Sequence, residues 1–300
     1  MGFEKGQRIF CEDLDTSKVD GKIVDKSIKS GALSDADDAM SLGPVFNFTA
    51  TNVTNAEKAL RDAIRDFKVQ IELLVPKCKN ATEFNQTLEV LSRSLPRVFN
   101  CYDAYVATVI ETSSEKVSCQ KSCSHCCSHY VTSVEPFELL YLHAKLRDEN
   151  EYAGKIIALH RRISLFKSLL IQSENESYAK NDAEEDKALY RYFLRGQNCP
   201  FLKDGGECGV YEHRPMSCRM FYSLSHPSLC KGKNVIAAGN RNFLIELPDD
   251  IEADLARVSA LFSDFNLPVH FFEGLLEINE KFGQFESSST LNSIGDFPSS

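Results

Sequence analysis

Apolar residues recur three or four apart along most of the chain, which predicts helices. Leu60, Ile64, Phe67, Ile71 and Leu74 share one helical face. Thr54-Asn-Ala-Glu57 has the form of a capping box before them, and Pro76 marks the stop. A second helix is predicted from about Asn80, with Glu83 in its first turn. Its apolar face is Leu88, Leu91, Leu95, Phe99, Tyr102, Val106 and Val109, and Pro96 should kink or split it. Further helices are predicted near Ser133, with Pro136 in the first turn and Phe137, Leu140, Tyr141 and Ala144 inward. Another carries Ile156, Ile163, Phe166 and Leu170, and a short one carries Leu189, Tyr192 and Phe193 between Asp182 and Gly196. The last two are a helix opened by Asp249-Asp-Ile-Glu252 and one over about Val269–Phe282.

The helical period fails in a few places. Ser173–Asp182 reads as a polar linker. Cys199–Tyr211 places glycines between two short arms, as in a tight hairpin, and Phe243–Leu247 reads as a short strand. Arg214-Pro215 suggests a new helix with proline in its first turn. Residues 1–52 carry no regular apolar spacing and are expected to be a flexible tail, and the Ser-rich 285–300 a disordered one. The expectation is a mainly α fold: a helical domain over 53–284 with a small cysteine-rich β-hairpin and loop.

Composition narrows the function. The 43% hydrophobic content supports a core without disulfides, and a net charge of −9 argues against a nucleic-acid or anionic-membrane partner. The first residues lack the apolar run of a signal peptide. No segment approaches the roughly 18 uninterrupted apolar residues of a membrane span. The expected compartment is therefore the cytoplasm, where eleven cysteines point to metal rather than disulfides.

Eight of those cysteines cluster. Cys119, Cys123, Cys126 and Cys127 lie within the twelve residues Cys119–Tyr130, together with His125 and His129. Cys199, Cys208 and Cys218 form a second block, with Cys230 a less certain eighth member. Thiolates are soft donors preferred by zinc and iron–sulfur clusters, and tetrahedral sites commonly draw on two separated loops. Cys218 should lie near a helix N-terminus that favours its thiolate, while Arg214 and Arg219 can offset thiolate charge. Adjacent Cys126 and Cys127 point differently, which suits two metals or one multinuclear cluster better than one ion. Loop exposure is the simpler account of His125, His129 and His213, and solitary Cys11, Cys78 and Cys101 read as core.

The string CSHCC, then CPFL, a further Cys, and GVYEHRPMSCR resembles the CxxCxxCC cysteine-cluster (YkgJ-like) family, known mainly from bacteria. The resemblance covers about Cys119–Phe221 and implies zinc or iron chelation. Its pattern falls on Cys123, Cys126, Cys127, Cys199, Cys208, Tyr211, Arg214, Pro215, Cys218 and Arg219. Two departures, the three-residue gap before Cys123 and His125 before the cysteine pair, leave open whether Cys119 joins the same centre.

Cys119-x3-Cys123-x2-Cys126 also has the spacing of radical S-adenosylmethionine enzymes. Those require repeated β/α units, whereas the neighbours here read as helices. The leading reading is a metal-binding protein with a thiolate-rich zinc or iron–sulfur centre, structural or redox in role. One alternative follows from the similarity of this family to flagellin lysine N-methylases, which use S-adenosylmethionine, although no Gly-rich cofactor loop is visible. Another is a metal-stabilised module for an unknown protein partner. The sequence leaves any catalytic residue unknown.

Overall fold

The computed structural model describes residues 51–113, 116–119, 122–147, 149, 151–175, 183–232 and 242–291. Of the tails expected over 1–52 and 285–300, residues 1–50 and 292–300 lie outside them, as do Cys11 and Asp182, while 51–52 and 285–291 are helical. Among the described residues there are eight helices and one two-stranded sheet: α1 (Thr51–Leu74), α2 (Ala81–Thr112), α3 (Pro136–Leu146), α4 (Tyr152–Asn175), α5 (Ala183–Leu194), α6 (Met216–Arg219), β1 (Phe221–Ser223), β2 (Asn242–Leu244), α7 (Asp249–Ala260) and α8 (Phe271–Leu291). The fold is mainly helical, as the apolar period predicts.

The inward faces are those the spacing selects. Leu60, Ile64, Phe67 and Ile71 of α1 are buried against α2 and α7. Asn80 caps α2, its side chain accepting the Glu83 N–H at 3.0 Å, and the helix continues unbroken through Pro96. Leu95, Val98 and Phe99 are buried on both sides of that proline, so packing outweighs the lost hydrogen bond. Half-buried Ser92 leaves the freed carbonyl within reach of water.

α3 lies between α2 and α8 and starts with a capping box of Glu135 and Glu138. Phe137 meets Phe67 edge-on at 5.4 Å, and Tyr141 meets Phe99 at 5.7 Å. α4 packs on α5 and α8, and Tyr130, just beyond the first cysteine block, stacks on Phe166 at 4.0 Å. Such aromatic contacts join the cysteine-bearing loops to the core.

Four local expectations shift. Regular strands form between Phe221–Ser223 and Asn242–Leu244, antiparallel with Tyr222 opposite Phe243. The Cys199–Tyr211 hairpin has a single antiparallel bridge, Leu202 to Cys208. Its turn closes through Lys203 N–H to Glu207 O at 2.9 Å, with Gly206 at φ +78°. α4 runs to Asn175, into the predicted linker, and α8 runs to Leu291.

Candidate metal centre

The first cysteine block follows α2 as an extended loop with one 3₁₀ turn, His125–Ser128. The second is the hairpin followed by the single turn of α6. Backbone hydrogen bonds hold the blocks together: Cys199 N–H donates to Cys127 O at 2.8 Å, and Ser118 N–H to Ser223 O at 2.8 Å. Ser122 Oγ adds a 3.3 Å bond to Glu207 across the gap.

Between them is a cavity of about 670 Å³ lined by seven thiols: Cys119, Cys123, Cys126, Cys127, Cys199, Cys208 and Cys218. Cys119 is exposed and the other six are half-buried. Cys230, the uncertain eighth member, does not line the cavity. It is buried, its Sγ donating to Asn242 Oδ1 at 3.6 Å, and it lies near enough to Cys123 and Cys126 for them to raise its pKa beyond the effect of burial. Solitary Cys78 and Cys101 pack against the hydrophobic core, away from the others.

The hairpin thiols share one local geometry. Cys199 Sγ accepts from the Phe201 N–H and Cys208 Sγ from the Val210 N–H, each two residues on. Both bonds favour the thiolate. Gly209 permits this arrangement, because a Cβ there would stand 2.9 Å from Phe201 O.

Burial acts in the opposite direction. It pushes Cys199 up to about 12 and raises Cys208 and Cys218, with neighbouring thiols adding to the effect. Cys126 is raised first by its hydrogen bond to Cys127 and then by burial. The nearby Arg214 guanidinium partly counters the rise at Cys126, Cys208 and Cys218. Without a cation these sulfurs hold protons, and a metal must displace them.

Among the described residues no three His, Cys, Asp or Glu side chains are arranged to hold a metal ion as they stand. The donor set nevertheless fits a soft metal: seven thiols converge, two with N–H groups aimed at sulfur. Beside them, the buried Arg214 Nε and Ser217 Oγ have no hydrogen-bond partner. Such donors suit a thiolate-rich centre.

The supporting arginines divide their work. Arg214 lines the cavity with its guanidinium 4.1 Å from the ring of Tyr211, which shields it at the rim. Arg219 helps counter the rise at Cys208, as expected, and is also a strut. Its Nε–H donates to Arg214 O at 2.9 Å, one Nη to Glu212 O at 2.8 Å and the other to Asp103 of α2, over the Phe99 ring at 4.4 Å. Its N–H groups fix the loop rather than the sulfurs. Cys218 does lie in α6, but that helix is one turn long and carries little dipole.

The histidines correct the expectation of exposed loop residues. His129 is half-buried, lines the cavity and stacks on Phe193 at 4.3 Å; desolvation lowers it to about 4. His213 bonds Tyr141 OH at 2.8 Å. His270, without an evident partner in the sequence, bonds Glu185 at 3.0 Å and Glu273 at 3.3 Å. Sequence reading also missed Glu138 and Asp103, because nothing local marks a carboxylate that reaches a distant loop.

Residues 118–237 match the model of the CxxCxxCC family, described as "Putative zinc- or iron-chelating domain". The match runs from just before Cys119 to beyond Cys230 and takes in both cysteine blocks. No curated protein and no solved structure matches the chain. Among the described residues no helix is long and apolar enough to cross a membrane.

Proposed function

We propose that this protein binds metal through a thiolate-rich zinc or iron–sulfur centre assembled from its two cysteine blocks, with a structural or redox role. One observation carries the reading: seven thiols from segments far apart in sequence line one cavity. Packing alone gives no reason for that convergence, and thiolate sets of this kind select zinc and iron–sulfur clusters. Cys119, Cys123, Cys126, Cys127, Cys199, Cys208 and Cys218 are the proposed ligands, with Cys230 the less certain eighth.

Seven thiols exceed the four that one tetrahedral ion takes, which favours more than one ion or a multinuclear cluster. The ten cysteines of the described residues are all free, in keeping with a reducing compartment such as the cytoplasm.

The test compares Cys126→Ser, Cys208→Ser and Cys101→Ser, each purified anaerobically and assayed for bound zinc and iron. The first two should lose metal while the third keeps the wild-type content. Equal content in all three would refute the assignment.

A further inference from the structure

α6 is one turn of helix carrying Cys218, and one turn cannot hold itself. Short helices are unstable without outside contacts, because nucleation fixes several dihedrals for a single hydrogen bond. Its backbone bonds are Cys218 N–H to Pro215 O at 3.0 Å and Met220 N–H to Met216 O at 3.0 Å. Something else must fix where Cys218 sits.

Glu138 meets that need. It belongs to α3, 78 residues away, and is only 2% exposed. Its Oε2 accepts the Glu135 N–H at 3.1 Å, the ordinary work of a capping residue. Its Oε1 does something capping does not require: it accepts the Met216 N–H, the first amide of α6, at 2.7 Å. Glu135 in turn accepts from Ser259 Oγ of α7. A continuous run of hydrogen bonds thus joins α7, the start of α3 and the turn that bears Cys218. The other end of α6 is held by Arg219 on Asp103 of α2.

We infer that Glu138 is a positioning residue of the metal centre, fixing the Cys218 thiol at the cavity through the Met216 amide. The inference rests on the metal-binding reading above. It gives the helical body a direct role at the site: α3 places a ligand of the second cysteine block while its own N-terminus follows the first.

Two variants separate positioning from capping. Glu138→Ala removes both bonds. Glu138→Gln has one carboxamide oxygen, which should stay on the shorter Met216 bond and release the Glu135 cap. Ile71→Ala, in buried α1, serves as a variant that lowers global stability without touching α6. Two readouts are taken: the rate at which a chelator strips metal from the loaded chain, and amide hydrogen exchange at 216–219 in the metal-free chain.

Glu138→Ala should lose metal at least roughly tenfold faster than wild type, as expected when a buried amide is left without its acceptor. Amides 216–219 should exchange faster by a similar factor, while Glu138→Gln and Ile71→Ala stay near wild type in both. Equal metal loss from Glu138→Ala and Ile71→Ala, or unchanged exchange at 216–219, would overturn the positioning role while leaving metal binding intact. A wild-type chain that takes up no metal would overturn the metal reading, and the positioning role with it.

Discussion

Replacing Arg219 with methionine should be among the most damaging single changes outside the cysteines. The side chain is 2% exposed and its N–H groups are spent on the carbonyls of Arg214 and Glu212 and on Asp103. Methionine fills a similar volume against Phe99, so little of the loss comes from a cavity. What remains is two carbonyls without donors, at about 1–3 kcal/mol each. The Asp103 side chain is 37% exposed, so water replaces part of its lost partner. The expected total is about 3–5 kcal/mol, the range for breaking a buried pair from one side. For a domain of this size that lowers Tm by roughly 10 °C. The assay is urea unfolding of metal-free protein, followed by far-ultraviolet circular dichroism with chelator and reductant present. Arg97→Met is the control: Arg97 pairs with Asp66 at 2.5 Å but is 60% exposed, so its loss should cost under about 1 kcal/mol. If Arg219→Met cost no more than Arg97→Met, the account of Arg219 as the strut of the second block would be wrong.

Three further outcomes are expected. Gly209→Ala forces a Cβ to 2.9 Å from Phe201 O and should displace the Cys199 and Cys208 sulfurs, so metal retention falls while far-ultraviolet helicity is kept. Tyr102→Phe removes the 2.5 Å bond from a fully buried hydroxyl to Ile245 O, just past β2, and should cost about 1–2 kcal/mol by urea unfolding. Burial by itself would lower the pKa of His270, but its bonds to Glu185 and Glu273 outweigh this and raise it to about 9. The folded value lies above the unfolded one, so this stabilisation is complete below about pH 6.5 and disappears as pH rises through about 9. Allowing for the 47% exposure of Glu185, it amounts to about 2 kcal/mol, measured as the wild-type minus His270→Asn difference across that range.

The helices were legible because burial imposes a period. Leu60 to Ile71 and Leu88 to Val109 announce their faces, and Asn80 with Glu83 announces a cap. The two cysteine blocks were legible as chemistry, because no packing rule groups thiols so closely. Pro96 misled as a break because local propensity gives no measure of the core on either side. Long-range pairings could not be read at all. Glu138 to Met216 and Asp103 to Arg219 span 78 and 116 residues, and neither carboxylate differs locally from a solvated one. β1 escaped notice for a similar reason: three residues with no alternation become a strand only when β2 arrives beside them. His129 read as a loop residue because Phe193, which covers it, belongs to another helix.

The central claim is that one centre joins both cysteine blocks, and element analysis of the anaerobically purified chain, taken with its visible absorption spectrum, tests it most directly. The account predicts stoichiometric zinc or iron, with a brown, absorbing sample if the centre is an iron–sulfur cluster and a colourless one if it is zinc. A metal-free chain whose stability does not change when zinc or iron is supplied would contradict it.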